Sequence, residues 1–251
     1  MGDLKLIEAK SERGTLPTTP CPKPVYLDHH ATTPVDPRVA KLVMHAMIDV
    51  FGNANSIDHA FGEAASKLVT AASASVAALI GAAAEDVRFT SGSTEAIRLA
   101  LAHAIARCRG SVLRVALTRV EHKAVLDAVA IGARSGVIEP RWIDVDAQAR
   151  LSMDSLERAL SSGVELVCLM AANNEVGTIY PIREVAARVH QSGAAILVDA
   201  TQAAGRLQLC AHEWELDYLV LSAHKLYGPK GVGALVSPNC DWHGEVADLI
   251  C

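Results

Sequence analysis

The sequence has no CxxC pair. Its six cysteines, Cys21, Cys108, Cys168, Cys210, Cys240 and Cys251, stand singly along 251 residues. That spacing suits free thiols in a reducing compartment better than a disulfide framework. The chain also lacks a basic excess. A net charge of −5 and a pI near 6.0 argue against a nucleic-acid footprint, which is usually basic. No uninterrupted run reaches the roughly 18 apolar residues expected of a membrane span. The N-terminal stretch MGDLKLIEAKSERGTLPTTPCPKP has no apolar core of the kind a signal peptide needs, and it carries Asp3, Glu8 and Glu12, which transit peptides avoid. Residues 1–24 therefore read as a poorly ordered leader. There is no internal repeat and no low-complexity tract. The histidines, His29, His30, His59, His122 and His224 among them, form no HExxH-like spacing, so a metal site is not expected. Together these absences predict a cytoplasmic chain with neither a nucleic-acid nor a membrane partner.

What is present is a large apolar fraction, 51% of residues, enough for a sizeable core. Val39, Val43, Ala46, Met47 and Val50 recur at helical spacing behind an Asp36 N-cap and Pro37. A second helix is expected over 62–80, ending at Gly81. Short apolar runs then alternate with helical patterns. Strands are expected at 87–90, 112–117, 138–145, 164–170, 195–198, 218–221 and 232–236. Helices are expected at 95–107, 123–134, 154–160 and 182–191. This alternation predicts an α/β fold: a mainly parallel, seven-stranded sheet with helices on both faces. The last connection has only about ten residues, too few for a parallel crossover, so the final strand should run antiparallel. The domain so defined spans 25–237, and 238–251 is a tail too short for a second domain.

In open α/β sheets, ligands bind beyond the carboxyl ends of the strands. Five strand ends carry polar clusters: SGSTE, TRVEHK, AANNEVG, DATQ and SAHK. Parallel strands would open all five onto one edge. Ser93 and Thr94 lie where a strand passes into a helix, a place that suits an anion; an ordinary N-cap explains them about as well. Asp199 closes an apolar strand and must find a cation or several donors, as a structural ion pair or as partner to a protonated ligand nitrogen. Lys225 follows an apolar strand within SAHKLYGPKG. A partly desolvated lysine becomes a nucleophilic amine able to form a Schiff base, whereas a surface lysine on a Gly-Pro loop does nothing. His122 suits stacking on a flat ligand or proton transfer, and equally a structural place. Asn174 and Gln202 offer amides to a ligand oxygen. A lysine, a strand-end acid and an anion cradle are together the set that pyridoxal phosphate requires.

The segments VYLDHHATTPVDPRV, FGNANSIDHAFGEAA, RFTSGSTEAI, VEHKAVLD, MAANNEVG, ILVDATQAAG and DYLVLSAHKLYGPKGVGAL resemble the cysteine desulfurases, class V aminotransferases among the fold-type I pyridoxal-phosphate enzymes. The resemblance runs over residues 25–236. It implies a fold-type I large domain without the small C-terminal domain. It also implies that Lys225 bonds pyridoxal 5'-phosphate, Asp199 pairs with the pyridinium nitrogen and His122 stacks on the ring. Gln202 and Asn174 then face the phenolic oxygen and the substrate, while Ser93, Thr94, Ser222 and His224 hold the phosphate. The catalytic pair is Lys225 and His122. The implied reaction takes sulfur from L-cysteine to leave alanine and a protein persulfide, for iron–sulfur cluster or thio-cofactor assembly. A homodimer and a sulfur-acceptor or scaffold protein are implied as partners. The segment usually written Asn-Ala-Ala-Thr-Thr here reads His29-His30-Ala31-Thr32-Thr33. No cysteine matches the position of the family's nucleophile. The same cofactor contacts would serve a selenocysteine lyase or another class V enzyme, or a non-catalytic remnant that only binds the cofactor.

Overall fold

A computed structural model describes residues 24–56 and 58–238. The leader and tail readings fall outside these residues, apart from Pro24 and Pro238. Helix α1 is Pro37–Ile48, with Asp36 as N-cap accepting from the Arg38 N–H. Helix α2 is Ala60–Ile80 and stops at Gly81, which sits in the left-handed region. It begins two residues earlier than its apolar pattern does, because the His59 ring accepts from the Gly62 N–H and caps the first turn.

Strand β1 (Val87–Thr90), helix α3 (Ser93–Arg107), strand β2 (Leu113–Thr118), helix α4 (Lys123–Arg134) and strand β3 (Ile138–Ile143) follow. Then come α5 (Met153–Ser161), β4 (Leu166–Met170), α6 (Ile182–Gln191), β5 (Ala195–Asp199), β6 (Tyr218–Ser222) and β7 (Gly233–Val236). The expected third strand ends two residues early. The Asp144 N–H donates to Ser155 Oγ at the start of α5, and Val145 pairs instead with Leu151 in an isolated antiparallel bridge.

The sheet has seven strands in the order β1-β7-β6-β5-β4-β2-β3. Pairs β2–β3, β2–β4, β4–β5 and β5–β6 are parallel. Strand β7 is antiparallel to both β6 and β1, so β1 runs in the same direction as β6. The short link before β7 allowed no other direction. The carboxyl ends of β1, β2, β4, β5 and β6 consequently share one edge.

Strands β4, β5 and β6 are almost wholly apolar up to the polar ends of β5 and β6, because both faces are covered. On one face, Leu166 and Cys168 of β4, Leu197 of β5 and Val220 of β6 join α3 and α4 in a common core. On the other, Val167, Leu169, Ile196, Val198, Leu219 and Leu221 pack with α5, α6 and the end of α2. Each fully buried leucine or valine contributes roughly 1.5–3 kcal/mol relative to exposure.

The two N-terminal helices behave differently. No residue of α1 is buried, and Leu42, Met44, Met47, Ile48, Phe51 and Phe61 are all exposed. The sequence shows no long uninterrupted apolar run, yet α2 is long and apolar enough by length and composition to cross a membrane, and little of it is buried. Its alanines raise the average across polar interruptions such as Glu63, Ser66, Lys67 and Thr70, which a search for unbroken runs passes over.

Candidate active site

The strand ends enclose a cavity of about 500 Å³ lined by Ser93, Thr94, His122, Asn174, Asp199, Gln202, His224 and Lys225. These side chains come from five separate connections. Ser222 is the one expected site residue outside that lining. It is buried at the end of β6 and lines an adjoining hollow with Ser91, Gly92, Ser93, Thr94, His224 and Lys230. Asp28, His30, Glu175 and Thr201 also line the main cavity, and no residue pattern of their own marks them in the sequence. The signal for Asp28 and His30 was their place in the YLDHHATT segment. No strand or helix there pointed to the sheet edge.

Helix α3 has no side chain capping its N-terminus. Its first-turn N–H groups lack intrahelical acceptors, and the helix dipole adds partial positive charge. The backbone enters through Gly92 at φ 150°, a conformation open to glycine. Strand β7 lies directly against this loop. A Cβ on Gly233 would sit 2.6 Å from Gly92 Cα and 2.6 Å from the Leu221 carbonyl oxygen, and neither backbone can yield cheaply. Gly233→Ala is therefore expected to cost about 1–3 kcal/mol of stability, read as a lower denaturant midpoint.

Lys225 lies on a single 3-10 turn, Ala223–Lys225, directly after β6. Its Nζ donates to the carbonyl oxygens of His30 and, at 3.0 Å, of Ala31. Burial lowers its pKa from the ordinary lysine value, and the Arg206 charge lowers it further, against the opposing pull of Asp199, Asp28 and Glu175. The segment over the lysine is anchored on the same turn. Thr33 donates to the His224 carbonyl through its N–H and its hydroxyl, both at 2.9 Å. Thr33 Oγ1 also accepts from the Tyr227 N–H at 2.8 Å, and His224 Nδ1 pairs with Thr32 Oγ1 at 3.1 Å. Burial and the neighbouring Lys225 and Lys230 charges lower the His224 pKa, which favours its neutral ring.

Asp199 ends β5 and is 5% exposed. Its Oδ1 accepts from the Thr201 N–H at 2.9 Å. His122 caps α4, its Nδ1 accepting from the Ala124 N–H at 3.1 Å, so a neutral ring carries its proton on Nε2. Asn173, adjacent to the expected Asn174, is the residue that shapes the β4 loop. It is buried, accepts from the Glu175 and Val176 N–H groups at 2.9 and 3.0 Å, and donates to the Val120 carbonyl at 3.2 Å. Asn174 Nδ2 donates to Glu175 Oε1 at 2.7 Å.

Behind the cavity wall, Glu121 is 5% exposed and accepts from Thr118 Oγ1 at 2.8 Å. Burial pushes its pKa up from 4.5 to about 8; the neighbouring Asp199 charge adds to this and the Thr118 hydrogen bond opposes it. A carboxyl with a raised folded-state pKa keeps its contribution below the unfolded value and loses it as pH rises through the folded one. The Glu121 contribution to stability should therefore fall as pH rises from about 4.5 to about 8. Glu121→Gln should flatten that fall, as thermal unfolding measured at several pH values would register.

Three observations fit pyridoxal phosphate to this cavity. Thr201 Oγ1 is a buried hydroxyl with no hydrogen-bond partner, in a residue that lines the cavity. The uncapped α3 terminus suits a phosphate. A lysine of lowered pKa and a strand-end carboxylate face the same space. Among the described residues, no group of three or more His, Cys, Asp or Glu side chains could hold a metal ion.

Comparison with known proteins agrees with this donor set. The family model "Aminotransferase class-V" matches residues 25–240. The chain is 42% identical over 212 residues to the cysteine desulfurase IscS of Anaeromyxobacter sp. (strain Fw109-5), covering 84% of this chain and 52% of the relative. A solved NifS-like protein superposes with a TM-score of 0.81 at 34% identity, over 86% of this chain and 59% of that one. SspA in complex with cysteine superposes with a TM-score of 0.81 at 27% identity, over 88% and 63%. The chain spans about half the length of the curated relatives it matches. A match over most of its residues, on a seven-stranded sheet whose strand ends gather these side chains, makes the chain a member of the class V aminotransferases, a pyridoxal-phosphate-dependent family.

Proposed function

We propose that this chain carries the cofactor-binding half of a cysteine desulfurase, acting on L-cysteine to yield alanine and a persulfide. The observation that carries the reading is the convergence of Lys225, Asp199 and the α3 N-terminus on one cavity. Its resemblance to proteins named as desulfurases supports the choice of reaction. Residues 25–237 would be the pyridoxal-phosphate-binding large domain. Lys225 would bond the cofactor aldehyde, Asp199 would pair with the ring nitrogen and His122 would lie against the ring. Ser93, Thr94, Ser222 and His224 would hold the phosphate, and Asn174 and Gln202 would meet the phenolic oxygen and substrate. When bound, the cofactor supplies an electron sink for the substrate's α-carbon. Lys225 Nζ, in its unprotonated form, is the group placed to take and return a proton there. Asp199 would set a carboxyl oxygen against the ring nitrogen that needs its proton.

The thiolate required by desulfurase chemistry is not among the described residues at the cavity. Cys168 is fully buried, and burial raises its pKa strongly, so it stays a thiol. Cys108 caps the far end of α3, a 15-residue helix and so roughly 22 Å from the uncapped terminus. Cys210 does not line the cavity. A sulfur-accepting or scaffold protein is the expected partner, and the exposed apolar side chains of α1 and α2 support self-association as a homodimer. The unpaired thiols Cys108, Cys168 and Cys210 suit a cytoplasmic setting. The test is persulfide and alanine formation from L-cysteine by the chain with pyridoxal phosphate, alone and with a thiol acceptor. Release of selenide from selenocysteine without persulfide from cysteine would overturn the substrate assignment.

A further inference from the structure

Arg206 lies outside the cavity lining but bridges two residues of it. Its Nη1 donates to the Gln202 carbonyl at 2.9 Å and to Gln202 Oε1 at 3.0 Å, and its Nη2 donates to the Lys225 carbonyl at 3.3 Å. On its other side, Gln202 Nε2 donates to the His30 carbonyl at 2.9 Å. Arginine offers only donors and a carbonyl only acceptors. A flipped amide would set Nε2 against the guanidinium and Oε1 against the His30 oxygen, losing both bonds. Arg206 and the His30 carbonyl therefore select the same orientation of the Gln202 amide, Arg206 by holding its oxygen.

We propose that Arg206 is a positioning residue of this site, fixing the Gln202 amide with its NH2 toward the cavity and placing a permanent positive charge beside Lys225. The inference rests on the reading of Lys225 and Gln202 as cofactor contacts. The Gln202 NH2 carries two hydrogens; one is held by His30, leaving one for a ligand oxygen. Lys225 faces Asp199, Asp28 and Glu175, whose charges favour its protonated form, and adjoins His224, whose neutral ring adds no charge. Arg206 is the cation that opposes those acids. An arginine keeps that charge at any working pH, so it always biases the amine toward the unprotonated form that attacks a carbonyl carbon.

The first experiment needs no cofactor. The full chain is acetylated with acetic anhydride across a pH series, and modification at Lys225 is followed by peptide mass spectrometry. Arg206→Met is expected to move the Lys225 midpoint up by about half a pH unit or more. Arg206→Gln, which keeps donors but no charge, should match it, and Arg206→Lys should stay near wild type. A midpoint unchanged in Arg206→Met, with an unaltered circular dichroism spectrum, would overturn the electrostatic role. The second experiment is a double-mutant cycle on pyridoxal phosphate affinity, read from the visible absorbance of the bound cofactor. Gln202→Ala should weaken binding several-fold in the wild-type background and by less than about twofold beside Arg206→Met. Fully additive losses would overturn the positioning role. Failure of wild type to bind the cofactor would instead sink the cofactor reading and leave the acetylation result standing.

Discussion

Lys225→Ala is expected to abolish borohydride fixation of pyridoxal phosphate and to lower turnover of L-cysteine by about three orders of magnitude or more. The expectation combines two losses. On the proposed reading, the amine that would bond the aldehyde disappears, and so does the group that would move a proton at the substrate's α-carbon; general acid–base catalysis alone is worth typically 10²–10⁴-fold. The fold should tolerate the change. The side chain's structural part is its pair of bonds to the His30 and Ala31 carbonyls, worth about 1 kcal/mol each, at a half-buried position on a loop. The measurement is mass spectrometry of the reduced adduct together with the visible band of the bound cofactor. Wild type should carry the label on Lys225 and the variant on no residue. A variant that binds and retains label elsewhere with undiminished turnover would remove Lys225 from the chemistry.

Asp199→Asn should produce the second large effect. The substitution keeps size and shape, and the new amide oxygen still accepts from the Thr201 N–H. Only the charge is lost, at a residue 5% exposed at the end of β5. Truncating one side of a buried, hydrogen-bonded charge pair costs about 2–5 kcal/mol, or about 30- to several-thousand-fold. The loss should fall on turnover and cofactor affinity together, because the ring nitrogen would no longer be held protonated. Thermal stability without cofactor should not fall, since an uncompensated buried carboxylate is costly in itself. Turnover and affinity equal to wild type would mean that Asp199 serves only the β5–Thr201 turn.

Much of this site is legible in the sequence. Lys225, Asp199, Ser93 and Thr94 each follow an apolar run, and the short 221–232 link required an antiparallel last strand. These signals are local, carried by periodicity and chain length. Other features depend on residues distant in sequence. Asn173 and Asn174 look alike as neighbours, yet only the packing of the loop buries Asn173 against Val120. His30 and Lys225 are 195 residues apart, and no helix or strand pattern near His30 announced that its carbonyl would meet the amine. Glu121 reads as an ordinary charged residue beside His122 until the ends of β2, β4 and β5 bury it.

The sequence by itself determined the order, type and direction of the elements, because hydrophobic period and connection length act within a few residues. It also determined which side chains stand at the carboxyl edge. Only the tertiary structure decided how those side chains are charged and aimed. Burial, the Arg206 bridge and the segment over Lys225 arise where remote parts of the chain meet, and desolvation and hydrogen bonding depend on that meeting and not on neighbours in sequence.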